Sequence, residues 1–178
     1  MMHQTGSYDY LQGTGFQAVR IPYGSGRLSM LAILPDPGTD LNTFVAGITA
    51  ESLGNWITQL QISYGTIALP RFTATFGAPL SGALTTLGMG VAFCPNPANF
   101  SGIGALTCIA DVEHKTVVEV NETGTTAAGA TTGTVGITAV QAPQYTMTMN
   151  HPFFYAIRDD KTGALVFIGV LQDPNALN

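Results

Sequence analysis

Apolar and polar positions alternate in short runs along much of the chain, and this pattern predicts a β-rich fold. The apolar runs Phe16 to Pro22 and Arg27 to Pro35 flank the turn sequence Tyr23 to Gly26, so they predict a β-hairpin. Residues Asp111 to Asn121 alternate strictly and predict a further strand. One face of that strand carries Val112, His114, Thr116, Val118 and Val120.

Further strands are predicted near the centre of the chain and in its C-terminal part. Tyr64 to Phe76 alternates like a long strand that Pro70 interrupts. The C-terminal part predicts three strands and a hairpin loop between the last two, Asp159 to Gly163. These three strands are Tyr145 to Met149, Phe153 to Asp159 and Ala164 to Val170.

Two segments have helical periodicity instead. Thr49 to Leu60 begins with a capping residue, and its apolar positions recur at helical spacing. That apolar face consists of Leu53, Trp56, Ile57 and Leu60, and we expect Trp56 to be a core anchor. Pro79 to Leu87, followed by Gly88, predicts a shorter helix. Many strands and few helices indicate an α+β class with an antiparallel, β-rich core, and the sequence shows no repeat or domain boundary.

Composition narrows the function classes. The 178 residues are 46% apolar and only 10% charged, with a net charge of −5, which argues against a nucleic-acid or anionic membrane surface. The apolar runs are strand-sized, so no membrane span is expected, and the first residues do not form a signal peptide. The chain contains none of the common hydrolase, phosphate-loop or metalloprotease motifs, and an enzyme is the least favoured class.

Cysteines and histidines do not indicate a metal or cofactor site. His3, His114 and His151 share no metal-ligand spacing, and we expect no metal and no cofactor. Cys94 and Cys108 match neither a metal nor a redox pair by spacing. Two buried free thiols are the favoured interpretation, and a disulfide stays open.

Small, uncharged residues fill the segment Thr123 to Ala142. Sixteen of its twenty residues are Thr, Ala or Gly, and no Asp, Glu, Lys or Arg occurs from Thr123 to Ile157. The segment therefore lacks large side chains that would fix it to a core. Composition alone favours a linker, and the other interpretation is a mobile loop that can become a strand.

Four groups of residues resemble the serpins, the family of serine protease inhibitors, in the order in which the family carries them. The first is Ile21-Pro22-Tyr23-Gly24 with Leu28-Ser29-Met30 and Ile33-Leu34-Pro35, and the second is Leu69-Pro70-Arg71-Phe72. The third is Val112-Glu113-His114-Lys115 with Val120-Asn121-Glu122-Thr123-Gly124-Thr125-Thr126-Ala127-Ala128. The fourth is Asn150-His151-Pro152-Phe153 with Ile157-Arg158-Asp159 and Phe167-Ile168-Gly169. The resemblance covers essentially the whole chain, and it implies a serpin-like, multi-sheet β-rich fold.

The resemblance implies that Glu119 to Ala142 is the hinge and reactive-centre loop of an inhibitor. In the family, a target protease cleaves this loop and forms an acyl-enzyme, and the freed hinge side then inserts into the large sheet. Such a protein traps its target as a suicide substrate and is not an enzyme. The hinge that would insert comprises Glu122, Gly124, Thr125, Thr126, Ala127, Ala128, Gly129, Ala130 and Thr131.

The bond that the protease cleaves follows from the same resemblance. Counting from the hinge gives Thr138–Ala139, and counting back from Pro152 gives a bond nearer Gln141–Ala142. The range of uncertainty covers Ile137, Val140, Gln141 and Ala142. Thr138 in the specificity position favours an elastase- or subtilisin-like protease as the partner, whereas Gln141 leaves the target open.

Three residues take other roles by resemblance. His114 matches a buried histidine beneath the large sheet, the shutter histidine, and Glu122 matches an acidic residue at the base of the loop. Arg71 matches the base that pairs with it, so we expect a Glu122–Arg71 ion pair. The chain departs from the family at Thr126, where Glu is usual, and at Asn99, where Asp is usual.

The chain is shorter than the family, and we interpret residues 1–178 as one partial domain, the C-terminal half of the fold. The missing N-terminal half would then be a partner of this one, because long sheet edges and apolar faces would otherwise be uncovered. The family favours an extracellular location. Two alternatives stay open, namely a non-inhibitory serpin-like binding, chaperone or structural protein and an unrelated secreted β-rich adhesion domain.

Overall fold

The computed structural model describes residues 1–95, 100, 102–104, 107–121 and 142–174. These residues form two compact units, of which the first combines Met1–Phe72 with Glu119–Asn178 and the second is Thr73–Val118. We call them the sheet unit and the clamp unit. The β-rich class predicted from the sequence is confirmed, with nine strands and three α-helices within the described residues.

A seven-stranded sheet organises the sheet unit, in the spatial order β7-β4-β1-β2-β3-β8-β9. Its strands are β1 Met2–Gly13, β2 Phe16–Tyr23, β3 Leu28–Pro35, β4 Gln61–Leu69, β7 Tyr145–Thr148, β8 Phe153–Asp159 and β9 Leu165–Leu171. The β2–β3 and β8–β9 hairpins confirm the predicted turns. All neighbours in this sheet pair antiparallel except β4 and β7, which are parallel.

The centre of the sheet is buried on both faces. Seven of the eight residues of β3 are buried, which agrees with its continuous apolar run. One face packs on the helices α1 Leu41–Ala46 and α2 Ala50–Gln59, around Phe16, Ile33 and Phe154. On α2 the predicted face packs as expected, with Leu53 buried and Trp56 4.5 Å from the ring of Phe16 between centroids.

Local hydrogen bonds explain where the two helices begin. Thr49 caps α2 as the sequence predicts, and it forms a reciprocal capping box with Ser52. The carboxylate of Asp40 accepts from the backbone N–H of Thr43 and caps α1, a six-residue helix that the periodicity did not predict. The hydroxyl of Thr43 also donates to this carboxylate, at 2.6 Å, and the two bonds, the hydroxyl bond foremost, hold the pKa of Asp40 below its usual value.

The clamp unit has a different construction. It contains most of β5 Phe72–Pro79 and β6 Glu113–Val120, which form a two-stranded sheet, together with α3 Ser81–Thr86 and the 3₁₀ helix Met89–Ala92. The predicted strand Tyr64 to Phe76 is therefore two strands, β4 and β5, in two sheets. The predicted helix Pro79 to Leu87 is confirmed as α3, but none of its residues is buried.

Candidate functional site

The predicted hinge and reactive-centre loop connects β6 to β7. Residues 122–141 lie outside the described part of the chain. The expectations for the hinge from Glu122 to Thr131, and for Ile137, Thr138, Ala139, Val140 and Gln141, therefore stay predictions. Ala142 is the one residue of the predicted cleavage range that the structure describes, and it is exposed.

Strand β6 is the N-terminal anchor of this segment. Glu113 and Lys115 form an exposed ion pair of 3.0 Å on its charged face. At its end Val120 is buried, and the side-chain amide of Asn121 donates to Glu119 Oε1 at 2.7 Å. The alternation predicted from the sequence is thus confirmed from Thr116 to Val120.

His114 lies on the predicted face of β6, but the expectation that it is buried is wrong for the described structure. Its side chain is exposed, and its ring meets the ring of Phe76 edge-on at 6.4 Å between centroids. Alternation identifies the face on which a side chain lies, but burial also needs a layer of residues over that face. A two-stranded sheet supplies few such residues.

Arg71 lies at the end of β4, after Pro70, and its side chain is exposed. Its predicted partner Glu122 is outside the described residues, so the Glu122–Arg71 ion pair stays a prediction.

Strand β7 is the C-terminal anchor and is fixed more firmly. It pairs in parallel with β4, from Gly65 opposite Tyr145 to Ala68 opposite Thr148. Backbone hydrogen bonds extend the pairing at both ends, from Gln144 N to Tyr64 O at 2.7 Å and from Met149 N to Ala68 O at 2.9 Å. Met147 and Met149 are fully buried, so the C-terminal end of the segment is held by both backbone and core.

Tyr145 is a site residue that sequence reasoning missed. Its ring lies over Gly65, where a Cβ atom would collide with it, and it stacks on the ring of Tyr10 at 3.7 Å with an interplanar angle of 8°. Burial, with smaller contributions from Tyr8 and Tyr10, raises the pKa of Tyr145 to about 12. The sequence signal for this contact was Gly65, an isolated glycine within a strand pattern, because such a glycine often marks the close approach of another group.

His151 and Asp159, from the C-terminal group of family-like residues, make structural contacts within the sheet unit. His151 donates from Nε2 to the carbonyl oxygen of Pro35 at 2.8 Å, at the end of β3. Asp159 pairs with Arg27 at 2.9 Å and accepts from the backbone N–H groups of Lys161 and Thr162. These contacts, the Arg27 hydrogen bond foremost, lower the pKa of the Asp159 carboxyl.

Cys94 and Cys108 form a disulfide, with their Cα atoms 5.3 Å apart. The favoured interpretation of two buried free thiols is therefore wrong. Sequence spacing does not reveal pairing, and in the structure neighbouring backbone segments bring the two residues together.

Other kinds of site receive no support from the described residues. Among them, no group of three or more His, Cys, Asp or Glu residues is placed to hold a metal ion. No helix within the same residues is long and apolar enough to span a membrane.

Comparisons with known proteins relate this arrangement to one family. Residues 1–174 match the family described as Serpin (serine protease inhibitor). An uncharacterized serpin-like protein of Thermococcus kodakarensis is 35% identical over 98% of this chain and 41% of its own length. The human leukocyte elastase inhibitor is 31% identical over 94% of this chain and 46% of its own length.

A solved structure agrees with the sequence matches. The native state of tengpin, a thermophilic serpin, superposes with a TM-score of 0.71 at 31% identity, over 97% of this chain and 45% of that protein. The chain thus spans less than half the length of the relatives it matches.

Proposed function

The chain belongs to the serpin family, and on that premise we propose that the protein inhibits serine endopeptidases as a suicide substrate. A target protease cleaves the segment between β6 and β7 and forms an acyl-enzyme. The freed part of the segment that follows β6 then enters the large sheet as an additional strand. The inhibitor is consumed with its target, so the protein is not a catalyst.

One observation carries the proposal, namely the continuity between β6 and the small residues that follow it. An inserting strand must alternate side chains between the two faces of the sheet. We take Thr125, Ala127, Gly129 and Thr131 as the inward set, because Thr126 stands where the family usually has Glu and should face solvent after insertion; all four are small and uncharged. Their burial requires neither a large cavity nor the desolvation of a charge.

The anchors support cleavage between β6 and β7 rather than detachment of the segment as a whole. After cleavage at Thr138–Ala139, the C-terminal product stays attached through β7, which is held to β4. Thr138 presents a small side chain to the protease, which favours an elastase- or subtilisin-like target. Cleavage at Gln141–Ala142 would leave the target open.

We further propose that Glu122 and Arg71 form a gating ion pair. Both groups lie on the path of the inserting strand according to the family resemblance. A structure of the full-length protein with the Glu122 carboxylate and Arg71 guanidinium far beyond contact distance would contradict the pair.

We propose that the N-terminal half of the fold covers the outer face of β9. Val166, Ile168 and Val170 are 51%, 61% and 39% exposed on one side of that strand. An apolar row of this kind is typical of a surface that another layer covers. The substitution Ile168→Glu should therefore destabilise the full-length protein, although this side chain is exposed in the chain described.

The test is to incubate the full-length protein with a panel of elastase- and subtilisin-type proteases. Inhibition predicts a covalent complex that survives denaturing electrophoresis. Ala127→Arg should convert the inhibitor into a substrate, because the inward arginine would have to be buried on insertion. Ala128→Arg is the matched control, since its side chain would face outward and complex formation should persist.

Cleavage between Ile137 and Ala142 without any covalent complex would reject inhibition. That result would favour a serpin-like protein that acts in binding, as a chaperone or in a structural role.

A further inference from the structure

The disulfide Cys94–Cys108 lies at the entry to β6. Cys94 follows the 3₁₀ helix, and a short segment separates Cys108 from β6. The two cysteines are 14 positions apart, so the bond closes a small loop.

Backbone contacts next to the disulfide join the same two segments. Phe93 and Ile109 form an isolated parallel bridge. Cys94 N donates to Ile109 O at 3.1 Å, and Ile109 N donates to Ala92 O at 2.9 Å. The covalent bond and these hydrogen bonds therefore fasten one point of the clamp unit.

A second point lies directly before β6. Val112 N donates to Ser81 Oγ at 2.8 Å, and Leu80 N donates to Val112 O at 2.8 Å. Residues 108–112 are thus held at both ends, and the direction in which the chain enters β6 depends on these two points.

Hydrophobic burial contributes little to this region. Phe93 is the one buried apolar side chain in the described part of the clamp unit. The exposed large apolar side chains of the clamp unit include Leu87, Met89, Val91 and Ile103. Regions without a sizeable core depend on cross-links, because these restrict the disordered alternatives.

We propose that Cys94–Cys108 is a redox-responsive clamp on the entry to β6. The oxidised form fixes residues 108–112 and the start of β6. The reduced form leaves them held by hydrogen bonds alone, while the sheet unit keeps its core and its order. This clamp does not depend on the proposed inhibitory activity.

The chemistry requires a dithiol reductant and an accessible sulfur. Cys94 is exposed and Cys108 is half-buried, so we assign the attack to Cys94 Sγ. A reductant thiolate attacks Cys94 Sγ, the bond to Cys108 breaks, and the Cys108 thiolate takes up a proton. The second thiol of the reductant then displaces Cys94, which leaves two protein thiols and an oxidised dithiol.

The experiment is amide hydrogen exchange on the full-length protein, with and without dithiothreitol. The clamp predicts at least tenfold faster exchange in peptides covering residues 107–118 after reduction. Peptides from β3 and β8 should change less than twofold. Equal exchange of residues 107–118 in the two states would overturn the proposal, and so would equal acceleration across the whole protein.

Two controls separate the disulfide from other effects of the reductant. The double variant Cys94→Ser with Cys108→Ser should exchange as fast as the reduced wild type and should not respond to dithiothreitol. If that variant does not fold, titration of the wild type with the reductant gives the same comparison. Thiol labelling of the untreated, denatured protein must leave Cys94 and Cys108 unmodified, and labelling of both would contradict the clamp.

Discussion

The sheet unit and the clamp unit are stabilised in different ways. The sheet unit has two buried faces, with β3 buried along almost its whole length. The clamp unit has one buried apolar side chain among its described residues, and it relies on backbone hydrogen bonds and a disulfide. The proposed inhibitory segment leaves the weaker β6 and arrives at the firmly held β7. This difference agrees with the proposed mechanism, in which the part of the segment after β6 moves into the sheet while the part before β7 stays in place.

Removing core volume from the sheet unit should produce the largest effect. Ile33 is fully buried, so Ile33→Ala should lower the free energy of unfolding by about 2–5 kcal/mol through lost burial and a residual cavity. Ile62→Ala is the matched control, because Ile62 is 78% exposed on β4 of the same sheet. Urea unfolding of the two variants measures both, and equal losses would contradict the distinction between core and surface.

The anchor at β7 should be sensitive to a single added methyl group. Gly65→Ala places a Cβ against the ring of Tyr145 and should cost about 1–3 kcal/mol through overpacking. Gly54→Ala lies in α2 with open space around it and should instead stabilise by up to about 1 kcal/mol. Thermal unfolding distinguishes the two signs, and a neutral Gly65→Ala would show that the Tyr10–Tyr145 stack is not fixed in place.

A substitution in the clamp unit should act locally. Ser81→Ala removes one of the two acceptors of Val112 N, the other being the carboxylate of Asp111, and should weaken the contact between the two segments by roughly 1 kcal/mol. Amide exchange at Val112 should accelerate about fivefold, with no change in β3. Thr86→Ala is the control, because its hydroxyl only donates within the exposed turn of α3. A shift in the global unfolding midpoint for Ser81→Ala would show that the two units are not independent in stability.

Local sequence signals predicted the elements that are stabilised locally. The hairpin of β2 and β3 followed from apolar runs around a glycine-containing turn, and α2 followed from its cap and apolar face. Strand β1 was missed because its side chains are mostly polar and partly exposed. It is a strand because it pairs with β4 from Met2–Leu69 to Tyr10–Gln61 and with β2, and such long-range pairing leaves no local periodicity.

At the candidate site, too, local sequence patterns did not reveal contacts between residues distant in sequence. The sequence placed the segment between β6 and β7 and identified the face that carries His114. It did not reveal the exposure of His114, the Tyr145–Gly65 contact or the disulfide, because each depends on residues distant in sequence. Pairing of Cys94 with Cys108 follows from the Phe93–Ile109 bridge, which composition and spacing do not encode.

Acid should lower the stability of the sheet unit through Asp159. We expect this effect to be smaller than those of the Ile33, Gly65 and Ser81 substitutions. The pKa of Asp159 is lowered by its hydrogen bonds to Arg27 and the hairpin backbone, so the folded state favours the charged carboxylate. The resulting stabilisation is complete above the ordinary value of 3.8 and is lost as the pH falls below it. Asp159→Asn should therefore reduce stability at neutral pH and flatten its dependence on pH in the acid range. Asp36→Asn, at an exposed position, is the matched control for the substitution itself. Because Arg27 is 63% exposed, salt should reduce the contribution of the pair, and an unchanged acid slope in Asp159→Asn would exclude Asp159 as its source.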